Sequence, residues 1–277
     1  MTALNSFLGT VIDWLQLPFR GLPPIVGVIV WSIPVSVFAL WIFGKTSNQA
    51  KITAVKAKIA ASLFEIRLFN DDLQAIAKAQ WEIVGHVLRY QGLALVPMIF
   101  ILPPLVLLMV QLHQFYGFRG FEPGETALLR VELAETGGPR PDLVIEIPRG
   151  LHLETPAVWV PSLGEFNWEL AADEPGDYEL GFTIEGATSI KTVSVTDRVV
   201  RLSPERPPRA FVDQLEWPSE RPLPSDGAIQ RITIAYPEAT MGLFGWSWEW
   251  SFAWMVVFFV LTMVFAFALK KPMGVEL

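Results

Sequence analysis

The sequence predicts a membrane protein of the α+β class, with three transmembrane helices, a cytoplasmic antiparallel helical hairpin and an extracytoplasmic immunoglobulin-like β-sandwich. Three observations predict it. Gly21 to Gly44, Tyr90 to Phe118 and Trp250 to Leu269 carry no Asp, Glu, Lys or Arg, and each is long enough to cross a bilayer, since about 30 Å at 1.5 Å per residue needs about 20 residues. The segment between the first two stretches is basic and has helical periodicity. The segment between the second and third is acidic and alternates with the period of strands.

Composition agrees. Hydrophobic residues make up 52% of the chain and charged residues 18%, with a mean hydropathy of +0.39, above what a soluble domain carries. The net charge of −7 is unevenly spread: Gln114 to Gly245 holds 21 acidic against 11 basic residues, whereas Lys45 to Tyr90 holds 7 basic against 4 acidic. The acidic lobe would repel phosphate, so nucleic acid is not an expected partner. The chain has no cysteine, which removes disulfides and thiolate metal sites.

Sidedness follows from charge. Lys45, Lys51, Lys56 and Lys58 follow the first apolar stretch, Lys78 and Arg89 precede the second, and Lys270 and Lys271 follow the third; by the positive-inside rule their side is cytoplasmic. The expected location is the plasma (inner) membrane, with the N-terminus and β domain outside and the hairpin and C-terminus inside. No basic residue precedes Arg20, so the N-terminus lacks the head of a cleavable signal and is expected to be retained.

Taken in order, residues 1–20 read as an interfacial amphipathic helix, because Leu4, Phe7, Leu8, Val11, Ile12 and Leu15 form one stripe that would lie flat in the outer interface. Residues 21–44 form the first span. In 45–90, Ile52, Val55, Ile59, Leu63 and Ile66, then Leu73, Ile76, Ile83, Val87 and Tyr90, recur at steps of three and four, predicting two helices folded back on each other. Asn70 is expected to cap the second, with Asp71 and Asp72 at its positive end. No proline intervenes before Pro97, so the second arm can run straight into the span at 91–117.

Residues 118–238 read as the sandwich. Apolar residues alternate through 127–133, 166–170 and 178–184, with further strands expected at 143–147, 157–160, 190–195 and 229–236 and turns at 136–139, 174–177 and 185–186. About seven short strands with Trp168 inside and Tyr178 beside a Pro-Gly turn suggest the immunoglobulin-like arrangement. The Pro-rich segment 203–227 should wrap the domain or stiffen a tether. In 239–271, Trp246, Trp248, Trp250 and Trp254 predict an aromatic belt before the third span, and 272–277 is a cytoplasmic tail.

Residues that could meet a partner or client fall in two places. Phe64, Leu68, Phe69 and Trp81 cannot all face one partner helix in the hairpin, so apolar surface is left over. Within the spans, Ser32, Ser36 and Thr262 are the polar candidates and Met98 and Met109 the pliable apolar ones. A serine pair one turn apart ordinarily glues helices together.

The order of span, basic hairpin, span and span resembles the core of the YidC/Oxa insertase superfamily over residues 22–115 and 250–271. The stretch that most resembles it is Thr46-Ser47-Asn48-Gln49 leading into Lys51, Lys56 and Lys58, then Glu65 to Leu73 at the turn and Pro97-Met98 entering the second span. The resemblance implies a hairpin that meets ribosomes or targeting factors and spans that shelter a client's hydrophilic segment. Two features depart from the family: no span contains a basic residue, and a whole domain separates the second span from the third.

Catalysis is not expected, and no cofactor is implied. His86, His113 and His152 lie in three different regions, which rules out a shared metal or triad. Asp173, Glu174 and Asp177 surround a turn without the spaced ligands of a calcium loop. The sequence therefore carries two expectations of different class. The first is an insertase-like or chaperone-like protein whose partner is a membrane-protein client. The second is a non-catalytic envelope scaffold whose outer sandwich binds a protein partner. Neither fixes the oligomeric state.

Overall fold

A computed structural model describes residues 2–69, 72–243 and 245–276. It combines helices with antiparallel sheets. Two compact units are formed, Met1–Val28 with Leu107–Val256, and Ile29–Val106 with Val257–Leu277. The helices are α1 (Thr2–Gln16), α2 (Pro24–Thr46), α3 (Gln49–Leu68), α4 (Leu73–Tyr116), α5 (Phe211–Glu216) and α6 (Ala253–Leu269).

By length and composition α2 and the Ile76–Tyr116 part of α4 can each cross a membrane. α4 runs unbroken for 44 residues with Pro97, Pro103 and Pro104 inside it, and Pro34 is retained inside α2. α6 is shorter than expected, at 17 residues, or about 26 Å. The chain turns at residues 251–252, with the Ala253 N–H donating to the Trp250 carbonyl at 2.8 Å, just after β10 (Thr240–Leu243) and β11 (Trp246–Glu249) pair as a hairpin.

In the first unit the remaining strands are β1 (Thr126–Leu133), β2 (Leu143–Glu146), β3 (Leu151–Leu153), β4 (Val158–Val160), β5 (Glu165–Ala172), β6 (Gly176–Ile184), β7 (Ala187–Val195), β8 (Glu205–Arg206) and β9 (Ile229–Ile234). One sheet runs β3-β5-β1-β9-β8 with β4 also on β5; the other runs β2-β6-β7. In the larger sheet Leu129 stands between Trp168 and Ile234, and Val131 between Phe166 and Ile232. Those six side chains share one core with Leu180, Phe182, Ile184, Val193 and Val195 of the smaller sheet. Period-two alternation puts every one of them on the inner face.

Turn chemistry closes the smaller sheet. Glu185 and Gly186 both have positive φ, 52° and 78°, between the paired Ile184 and Ala187; this is the two-residue turn whose twist matches a hairpin. The Pro-rich segment wraps the lobe: β8 pairs with β9, and Leu223 is buried in the common core.

In the second unit Asn48 caps α3, its Oδ1 accepting from the Lys51 N–H at 3.0 Å. Leu40, Phe43, Ile52 and Val275 form a small core with Tyr90, Leu93, Ala266, Leu269 and Met273 packed against it. The C-terminal segment is fastened to the start of α3: the Glu276 N–H donates to Gln49 Oε1 at 2.8 Å, and the Glu276 carboxylate lies 3.3 Å from Lys56 Nζ. The Asn70 cap lies outside the described residues. Asp72 carries that role, with Oδ1 accepting from the Gln74 N–H at 2.9 Å.

Candidate functional site

The polar groups singled out on α2 and α6 are closed off rather than presented. Ser32 and Ser36 are fully buried. The Ser36 hydroxyl lies 2.6 Å from the Ser32 carbonyl and 2.9 Å from that of Thr262, donating between them. Ser36 thus ties α2 to α6, as packing serines do in apolar helices. The Thr262 Oγ1 is buried with no hydrogen-bond partner among the described residues. Met109 is buried, whereas Met98 is exposed. Of these five candidates the structure brings Ser32, Ser36 and Thr262 together, as a seam and not as an open groove.

The candidates at the α3 and α4 ends have the opposite character. Phe64 is 69% exposed, Leu68 74% and Trp81 77%, with Phe69 also exposed and Leu73 at 83%. Behind them α3 buries Ile52, Val55 and Ser62, and α4 buries Ala79. Each helix therefore has one covered face and one open apolar face. In water such surface is costly unless something covers it. Arg67 and Lys78 lie close to it in sequence, giving a mixed basic and aromatic surface.

The structure turns α1 over relative to simple amphipathicity. Asn5, Gly9, Ile12 and Gln16 are its buried residues, one stripe at steps of four, three and four. Its outward face carries Leu4, Phe7, Val11, Trp14 and Leu15. Polar contacts hold it: Asn5 Nδ2 donates to the Gln214 carbonyl at 2.6 Å, Gln16 and Tyr116 exchange hydrogen bonds at 2.8 and 3.0 Å, and Asp13 pairs with Arg201 at 2.8 Å. Arg201 also donates to Gln111 Oε1 at 2.8 Å. A helix that gives its polar side to the protein and its apolar side outward is suited to an apolar surrounding.

Among the tryptophans before α6 the structure separates Trp254 from the rest. Trp246, Trp248 and Trp250 are exposed. Trp254 is fully buried, with Nε1 donating to His113 Nδ1 at 3.1 Å, and His113 stacks on Phe252 at 5.0 Å. Trp254 is thus a packing anchor and not part of an exposed belt. The other reactive candidates of the lobe are likewise engaged. His152 lies 2.8 Å from Asp173 and 3.1 Å from Glu154, and the hydrogen bonds to Asp173 and then Glu154 raise its pKa above the ordinary imidazole value. Asp177 accepts from the Ser194 hydroxyl at 2.6 Å, and the Glu174 carbonyl from Tyr178. No group of three His, Asp or Glu among the described residues could hold a metal.

Sequence reasoning missed Lys191. Hydrophobicity places Ile190 inside and Lys191 outside, yet Lys191 is fully buried and Ile190 exposed. The register of β7 against β6 sets Lys191 opposite Leu180, on the core side. The wrapping segment supplies its partners: Glu220 at 2.8 Å and the Ser203 hydroxyl at 2.9 Å. Burial lowers the Lys191 pKa, opposed by Glu220. Glu220 also accepts from the Thr192 N–H at 3.1 Å, so one carboxylate fixes the segment to β7. The legible signal was its spacing, two and four residues before Val193 and Val195 and so on their inward face by period two; the partner that makes a lysine tolerable there was not legible.

Comparison with family models, with curated proteins and with solved structures returns no match.

Proposed function

We propose that this chain is an integral membrane protein that recruits apolar segments of membrane-protein clients, or the factors that deliver them, through the open face of α3 and α4. The single observation that carries the reading is the cluster of Phe64, Leu68, Phe69, Leu73 and Trp81 at that end, all of them exposed. In this reading α3 and the first half of α4 form a cytoplasmic hairpin, α2, α4 and α6 are the spans, and the layout is that of the YidC/Oxa superfamily.

Two sets of contacts support the sidedness. Asn5 and Asp13 bond to Gln214 and Arg201, so the N-terminal helix and the β lobe share one phase. Gln49 and Lys56 bond to Glu276, so the start of α3 and the C-terminal segment share one phase. Charge assigns the second to the cytoplasm. Because Ser32 and Ser36 are sealed between helices, a client would be sheltered along the outside of the spans and not in a groove built from those serines.

The test is site-specific photocrosslinking from Phe64 and Phe69, both exposed, to newly made membrane proteins, with Ser36 as the sealed control. Adducts at the two aromatic positions and none at Ser36 support the reading; stable capture of a single extracytoplasmic protein, with no adduct at either aromatic, sinks it. That second outcome would favour a non-catalytic scaffold with an immunoglobulin-like outer sandwich. One observation speaks for it: Val144 and Ile190 are both exposed on the three-stranded sheet of the lobe.

A further inference from the structure

Between Leu73 and Ile99, α4 carries a second apolar stripe that its own unit leaves uncovered. Ala77, Trp81, Val84, Leu88, Gly92, Leu95 and Ile99 are all exposed, at steps of four, three, four, four, three and four. That spacing averages about 3.7 residues per step, close enough to the helix repeat that the stripe stays on one face. The covered residues Ala79 and Pro97 fall on the opposite face. Lys78, Glu82 and Arg89 line one edge of the stripe by helical phase, so its first half belongs in water, whereas no charged residue follows Arg89 before Arg119 and its second half belongs in lipid.

Two glycines sharpen the picture. Gly85 and Gly92 lie on this face, and a Cβ added to either would meet nothing within 4 Å. A glycine inside a helix costs roughly 1 kcal/mol relative to alanine, and no contact among the described residues uses the space gained. What the missing side chains permit is close approach by another helix.

We propose that the α4 of a second copy of this chain covers the stripe, in a parallel two-fold pair. Whatever covers it must be half aqueous and half apolar at the same depth, and α4 itself meets that requirement. Two copies inserted with the same sidedness have parallel α4 helices at equal depth, so Leu88 meets Leu88 and Gly92 meets Gly92 without any choice of register. Leu73 to Ile99 spans about 39 Å; at a helix width of about 12 Å the pair buries about 900 Å² in all, the size of a weak specific interface. Confinement to one bilayer raises the effective concentration enough for such an interface to be occupied. The inference rests on the membrane placement but not on client recruitment, and it leaves Phe64, Leu68 and Phe69 free for that role.

Because the chain has no cysteine, the test is direct. Leu88→Cys, Leu95→Cys and, on the covered face, Ile83→Cys are introduced singly in the full chain and oxidised with copper phenanthroline in native membranes. The expected result is an adduct of twice the chain mass at Leu88 and Leu95, at least fivefold more abundant than at Ile83, and a fivefold or greater loss of the Leu88 adduct when Gly92→Ile is added. No doubled-mass adduct at Leu88 or Leu95, equal yield at all three positions, or adducts of another mass would each overturn the pairing. Carbonate extraction of the same vesicles separates the failures: release of the protein refutes the membrane placement, and retention with no adduct refutes the pair alone.

Discussion

The β lobe and the α3–α4 helices treat the same kind of residue in opposite ways. In the lobe, Leu129, Val131, Phe182 and Ile232 are wholly buried, and even Lys191 finds a carboxylate inside. On the helices, Leu68, Leu73, Trp81 and Leu88 are mostly exposed. The lobe gathers side chains of both sheets into one buried core, so it can fold by its own core. The helices cover one face and leave the other open. A function that requires contact is therefore read from what the helices leave open.

Substitutions should separate the two regions sharply. Trp168→Ala in the lobe removes a buried ring stacked on Phe166 at 5.5 Å and is expected to cost about 3–5 kcal/mol, visible as a large fall in the thermal midpoint of the detergent-solubilised chain. Phe64→Ala, at an exposed position of α3, should leave that midpoint nearly unchanged while reducing crosslinking to clients. Equal destabilisation by both would break the contrast.

The wrapping segment gives the next effect. Glu220→Gln leaves the Lys191 charge buried without its partner and is expected to destabilise by about 3 kcal/mol, whereas Lys191→Met with Glu220→Gln should recover most of that loss. Limited proteolysis within 203–227 checks that the segment detaches in the single variant and not in the double. Gly150 adopts φ 98°, and a Cβ there would lie 2.2 Å from the Tyr178 hydroxyl oxygen. Gly150→Ala therefore meets both a strained backbone and a clash, with an expected cost of about 2 kcal/mol in chemical unfolding.

Smaller effects test the lobe's surface. Glu185→Asn places a residue that tolerates positive φ in the β6–β7 turn and should stabilise by about 0.5 kcal/mol. For His152, Asp173 and Glu154 raise the folded-state pKa, so its contribution is complete below the unfolded value of about 6.5 and fades as pH rises through the raised folded value. His152→Gln should flatten the dependence of stability on pH in that window, and a profile that keeps its slope would assign the slope to another group.

Much of the lobe was legible because alternation is a strong signal: 127–133, 166–170, 178–184 and 229–236 appear within a few residues as β1, β5, β6 and β9. Strands β3 and β8 were not, being three and two residues long and defined by pairing alone. The β10–β11 hairpin was hidden because its tryptophans resemble an interfacial belt. The inward face of Lys191 follows from its spacing to Val193 and Val195, but its partner was illegible because it lies 29 positions away, in a segment whose prolines said only that it was stiff. On α1 the apolar stripe was plain, but Asn5 and Gln16 gave no sign that polar residues form the side held by the protein. Of the candidate contacts, exposure at Phe64, Leu68, Phe69 and Trp81 followed from counting faces. The closure of Ser32 and Ser36 depends on where α6 lies, which no local pattern encodes.

The topology we propose puts α3 and the lobe in different aqueous phases. Single cysteines at Asp72 and Ser189, probed with a membrane-impermeant maleimide on intact spheroplasts and again after permeabilisation, test this most directly. The account predicts that Ser189→Cys is labelled at once and Asp72→Cys only after permeabilisation; labelling of both positions on intact cells would contradict it.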